Sequence, residues 1–282
     1  MRDNILSQYN RLHEEEMLYY QGANPLDMAY NPVPYAEPAV EEVQEVIIEN
    51  NYEEAMENVA RIVATSEGEV VFRELMYSRL GDIRLNGTFW SDDSKYEPTN
   101  GYINYAKNPW RTKMEGGVWN SWIAMGHEAY HAYDHSIGAY SDSNYDLKEV
   151  RDYIEPRAVS FGNYLREAYS LSPLRERYAY IRKGLHQIAC HETISDFTTL
   201  ERNADITAIG YSYTKTATIH EWPKNEYGQI DYGAPKTTRT EITNNFIIVY
   251  RDKNNNKLSY KKFNDAAAYK HTSSNLVDDE KK

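Results

Sequence analysis

The chain has 282 residues, 41% of them apolar, which is enough for one large domain or two small ones with a real core. Its formal charge of −12 lacks the basic footprint that general nucleic-acid binding needs, so a nucleic-acid partner is not expected. The single cysteine, Cys190, excludes an internal disulfide framework and a cysteine-rich structural zinc site, and is expected to be a small buried apolar residue.

The N-terminus, MRDNILSQYNRLHEEEMLYY, has no apolar stretch after its basic residue, as expected of a chain made in the cytoplasm and exported, if at all, without a cleaved signal peptide. No run approaches the roughly 20 apolar residues of a membrane span. Residues 4–20 read as a helix. The stretch 22–38 carries Pro25, Pro32, Pro34 and Pro38 and reads as an extended linker. Apolar spacing predicts helices over 39–64 and over 70–80, the second stopping at Gly81.

Residues 82–90 and 101–106 alternate in polarity and read as strands on either side of a polar loop, 91–100. A Gly-Gly turn at 116–117 leads into a helix over 118–137, with Gly138 as its stop. A second long helix is expected over 147–169. Pro156 within it favours a start near Ile154–Pro156, because proline suits a first helical turn and costs about 3 kcal/mol in a helix interior. Ser172-Pro173 opens a further helical stretch to about Ile188. The pattern turns β-like after residue 200, with a hairpin of 246–250 and 257–261, and the polar tail from His271 is expected to lack fixed structure. These readings divide the chain into an N-terminal helical segment with its linker, 1–60, a catalytic region, 61–200, and a β-rich region, 201–282.

The chemistry concentrates in the helix expected over 118–137. His127-Glu128-Ala129-Tyr130-His131 is an HExxH pattern. On a helix, His127 and His131 project from one face and can share one zinc ion, while Glu128 can serve as the proton acceptor of a metallopeptidase. A catalytic zinc normally has three protein ligands, and the chain has no HExxHxxGxxH pattern to supply a third histidine. His135 lies eight residues from His127, so it drifts about 80° round the helix and is expected beside the site instead of on the metal. The following helix offers Glu149, Asp152 and Glu155. Glu155 is favoured, since Ala158 three residues on allows close helix approach; Glu149 and Asp152 are the alternatives. Tyr164, Tyr169, Tyr178 and Arg166 are candidates for stabilising an oxyanion, and Asn163 and Arg166 for supporting the metal helix. His186, His191, His220 and His271 have no partner at ligand spacing.

The run Glu155-Pro156-Arg157-Ala158-Val159, with Asn163 and Arg166 and then Leu171-Ser172-Pro173-Leu174-Arg175, lies downstream of His127-Glu128-Ala129-Tyr130-His131-Ala132-Tyr133. This arrangement resembles the bacterial effector and toxin zinc metallopeptidases of the NleD-like and Rhs-associated type, over about residues 80–180. The strand Gly101-Tyr102-Ile103-Asn104-Tyr105 resembles the short strand that precedes their metal helix. The resemblance implies an α+β fold with a zincin-like core: an active-site helix, a small edge sheet and a second helix carrying a glutamate ligand. It implies Zn2+ held by His127, His131 and Glu155, with Glu128 catalytic, and a protein or peptide substrate in another cell. The strand at 101–106 is expected to be the edge that pairs with an extended substrate. Two alternatives are a non-catalytic adaptor module on the same fold and a zinc amidase acting on a cell-wall peptide. The retained Glu128 speaks against the first.

Overall fold

The computed structural model describes residues 45–78, 80–89, 94–107, 120–172, 174, 190–221, 223–228 and 234–278. The readings over 4–38, the turn at 116–117, most of the helix expected over 172–188, and His186 and Tyr178 fall outside these residues, as does the side chain of Cys190. Val43–Lys282 forms one compact unit. The boundary expected at residue 60 lies within the helix Tyr52–Ala64, and the described residues of 201–282 belong to the same compact unit as those before them.

In chain order the elements are β1 (Val46–Ile48), α1 (Tyr52–Ala64), α2 (Ser66–Met76), β2 (Ile83–Thr88), β3 (Lys95–Glu97), β4 (Tyr102–Ala106), α3 (Ser121–Ser136), α4 (Lys148–Ala168), β5 (Cys190–Arg202), β6 (Ala208–Glu221), β7 (Thr237–Arg251), β8 (Leu258–Phe263) and α5 (Ala266–Asp278). This is a mixed α+β architecture with two four-stranded sheets. No helix among the described residues is long and apolar enough to cross a membrane.

The first sheet has the order β1-β2-β4-β3. β1, β2 and β4 are parallel, and β3 runs antiparallel to β4 at the margin. Two expectations change here. The helix expected over 39–64 begins only at Tyr52, because Val46-Ile47-Ile48 pairs with Ile83–Leu85; β-branched side chains suit a pleated surface, and Val46 and Ile48 are buried on it. β4 is an interior strand, so the exposed edge is β3, drawn from the expected loop. Gly101, at φ 70°, makes the β3–β4 turn; a side chain there would meet the Asp82 carbonyl at 2.3 Å.

Thr65 ends α1 and caps α2 through Gly68 N–H at 3.1 Å, which moves the start of α2 forward of the expected residue 70. α4 also begins early, at Lys148, and runs through Pro156. The carbonyl that the proline leaves without a helical donor belongs to Asp152, which is exposed and can be hydrated. Ile154, Ala158, Phe161 and Leu165 hold the helix to the core.

The second sheet is the antiparallel meander β5-β6-β7-β8. Its β5 begins at 190, ahead of the expected change at 200, and the expected hairpin is its β7–β8 end. Tyr211, Tyr213, Ile247 and Val249 of this sheet join α1, α2 and α3 in one buried cluster. Ile48 N–H donates to the Asn256 carbonyl at 3.1 Å, and Ile47 bridges Lys257, tying the sheets together. The tail expected to be unstructured from His271 is helical to Asp278, with Tyr269 buried.

Candidate metal centre

α3 is buried along Trp122, Ile123, Met125, Ala129 and Ala132 and crosses α4 closely at Gly126. A β-carbon on Gly126 would lie 2.5 Å from Leu165 Cδ1, so glycine sets how near the two helices come. That approach brings Glu155 of α4 to the two histidines of α3. His127 Nε2 and His131 Nε2 are 3.2 Å apart. Glu155 Oε2 is 3.5 Å from His127 Nε2, and Oε1 is 3.6 Å from His131 Nε2. Zinc–ligand bonds of ordinary length imply tetrahedral edges of about 3.3–3.5 Å. The cluster therefore has the donor set and the spacing that a tetrahedral zinc requires. Among the described residues no other trio of His, Cys, Asp or Glu does. The alternatives Glu149 and Asp152 are exposed and lie outside it.

The electrostatics suit ligation. Burial first, then repulsion from His127, pushes His131 down to about 3, so its ring is neutral at pH 7. Its Nδ1 is buried without a hydrogen-bond partner among the described residues, and its Nε2 faces two other Lewis bases. Glu155 is held down to about 2, chiefly by its hydrogen bond with His127. The three groups thus present lone pairs to one point.

Glu128 lies one step round the helix and is buried. Burial pushes its carboxyl up to about 7 against the pull of His127, and Glu155 adds to the rise. The Tyr96 backbone N–H donates to the carboxylate, so the edge strand β3 is fastened to the metal helix at this residue. A carboxyl that titrates near neutrality can both take and return a proton.

His135 is buried beside the centre and is no ligand. Its Nδ1 is 3.0 Å from the Tyr96 hydroxyl, its Nε2 is 3.0 Å from Asp142, and its ring stacks on Tyr140 at 5.0 Å. The Tyr140 hydroxyl donates to the His131 carbonyl at 2.7 Å. Asp134 is fully buried and bound by Arg157.

Two of the expected oxyanion donors, Tyr164 and Tyr169, are engaged elsewhere. The Tyr164 hydroxyl pairs with Glu192 and takes the Glu67 N–H at 3.2 Å; the Tyr169 hydroxyl donates to the Arg61 carbonyl at 2.7 Å. Asn163 and Arg166 are buried on α4. His220 pairs with Thr238 at the exposed margin of the second sheet.

One residue escaped the sequence reading. Tyr145, on the loop between α3 and α4, is half-buried with its ring 5.3 Å from that of Tyr140. Burial first, then the charges of Glu128 and Glu155, pushes its phenol up to about 12. Its hydroxyl makes no hydrogen bond among the described residues, and the charges of both acids reach it. No motif or spacing marks it in the sequence.

No protein-family profile matches the chain, and no curated protein is similar to it. A solved structure from Xanthomonas campestris pv. campestris, described as a candidate polyketide cyclase, matches 33% of the chain and 63% of its own length at 14% identity. The TM-score of that match is 0.20, too low to bear on fold or chemistry.

Proposed function

We propose that this chain is a zinc-dependent metallopeptidase that hydrolyses peptide bonds of a protein substrate, acting as a bacterial toxin or secreted effector. The observation that carries the reading is the convergence of His127, His131 and Glu155 at tetrahedral spacing beside the buried Glu128. The resemblance of the Glu155-Pro156-Arg157-Ala158-Val159 run to effector metallopeptidases supports the delivery of the protein to another cell.

His127, His131 and Glu155 would hold the ion. Zinc bound there supplies a Lewis acid for a carbonyl oxygen and lowers the pKa of water to about 7. Glu128 accepts the proton of the attacking water and returns it to the leaving amine. Its burial keeps the proton affinity high enough for both transfers. The Tyr145 phenol donates to the carbonyl oxygen as charge develops on it. β3 is an edge of the first sheet and is tied to Glu128 through the Tyr96 N–H, and an extended peptide is proposed to align beside it.

The test is metal analysis of the purified protein joined to hydrolysis of an unstructured protein mixture. About one zinc per chain, with cleavage lost on Glu128→Gln, is expected. A protein with no bound zinc after dialysis against micromolar zinc sinks the reading.

A further inference from the structure

The two margins of the second sheet are built differently. On one side, β5 is irregular: its pairing with β6 shifts register between Ser195 and Thr198 and again between Thr199 and Glu201, and Asp196 takes φ 53°. Bulges of this kind prevent an edge from templating another strand. On the other side, β7 has no such guard. It pairs with β6 in unbroken register from Thr237 to Tyr250, while β8 covers only Phe246 to Arg251. Among the described residues, 237–245 therefore has a strand on one side only. Thr237–Asn244 are all exposed. The segment TTRTEITNN contains no proline, glycine or lysine and is rich in residues that favour strands.

The charges on this margin are self-complementary. Arg239 and Glu241 are its only charged residues, and they cancel. Within the chain Arg239 lies 3.4 Å from Glu241 and 3.5 Å from Glu221, all about half-exposed. In an antiparallel pairing of two copies about a two-fold axis at Thr240, Arg239 of each faces Glu241 of the other. Ile242 then faces Thr238. Moving the axis to Arg239 or Glu241 sets like charges opposite, which is destabilising. The paired residues 237–243 stop short of Phe246, opposite which β8 ends at Phe263, so the margin accommodates a second β7 without displacing β8.

We infer that a second copy of this chain pairs along β7, extending the sheet through a two-fold axis at Thr240. The contact is isologous, as in most homodimers. It is independent of the peptidase reading.

Sedimentation equilibrium of the full chain across the micromolar range tests the contact, with circular dichroism confirming each variant's fold. The wild type is expected at twice the chain mass. Arg239→Glu and Glu241→Arg each place like charges opposite and are expected to weaken the dimer by about tenfold or more. The double variant Arg239→Glu/Glu241→Arg restores the complementary pairs and the dimer. A monomeric wild type, single reversals that leave the dimer unchanged, or a double variant that stays monomeric overturns the inference.

Discussion

Arg157 of α4 grips Asp134 of α3: Nε lies 3.0 Å from Oδ2 and Nη2 lies 2.9 Å from Oδ1. Asp134 is three residues past His131, and Arg157 two past Glu155, so the pair fixes the register in which one helix presents histidines and the other a carboxylate. The guanidinium also lies 5.6 Å from the Tyr130 ring and 5.4 Å from the Tyr153 ring. Arg157→Ala leaves the fully buried Asp134 unpaired. The expected loss is about 3–5 kcal/mol of stability. Chemical denaturation reads it. Arg157→Met combined with Asp134→Leu is expected to recover most of that loss, and zinc affinity in both variants reports whether the register survives.

Glu128→Gln keeps the size of the side chain and the metal ligands but removes the proton acceptor. Turnover is expected to fall by about 10²–10⁴-fold with zinc content unchanged. Parallel measurement of metal content and cleavage separates this outcome from loss of the site; a variant that still cleaves at the wild-type rate removes Glu128 from the chemistry.

Glu155→Ala is expected to weaken zinc binding far more than Glu149→Ala or Asp152→Ala, since only Glu155 reaches both histidines. Competition with a chromogenic chelator gives the order. Tyr145→Phe should leave zinc affinity intact and lower the turnover by about 10²-fold, the effect of removing one oxyanion donor.

Gly126→Val inserts a branched side chain where the first added carbon already meets Leu165 Cδ1 at 2.5 Å. An overpacked crossing is expected to lose about 1–3 kcal/mol. It should also weaken zinc binding, because α4 carries Glu155. Adding Leu165→Ala opens space for the new side chain, so thermal melts and chelator competition on the double variant show whether helix separation is the cause.

Acid should loosen the junction between α2 and the second sheet. Glu192 is buried, and burial alone would raise its pKa; Lys215, the Tyr164 hydroxyl and the Ser66 N–H at 2.6 Å outweigh that and hold it below the ordinary carboxylate value. A depressed folded-state pKa contributes stability that is present above the unfolded-state pKa and is lost as pH falls through the folded one. Melting temperature is therefore expected to drop more steeply on the acid side for the wild type than for Glu192→Gln.

The candidate site was more legible in the sequence than the sheets. His127, Glu128 and His131 sit on a local helical pattern, and one turn of helix is enough to align them. Glu155 was readable because its helix is the next element after the loop. β1 was misread because Val46-Ile47-Ile48 fits a helical stripe as well as a strand, and its partner β2 begins 37 residues after Val46. Such non-local pairing leaves no trace in a short window. Pro156 misled through a sound rule: the missing hydrogen bond falls on the solvated side of α4, where the rule's penalty is smallest. Tyr145 was one tyrosine among 26, with no motif or spacing to single it out.

The shared core of the two sheets sets the unit in which this protein can be inherited or trimmed. A fragment ending near residue 200 would strip Tyr211, Tyr213, Ile247 and Val249 from α1, one of the helices on which α3 rests. Recombination between related chains would have to carry Val43–Lys282 as a block, since a crossover placed between the sheets leaves each half with an apolar face in water.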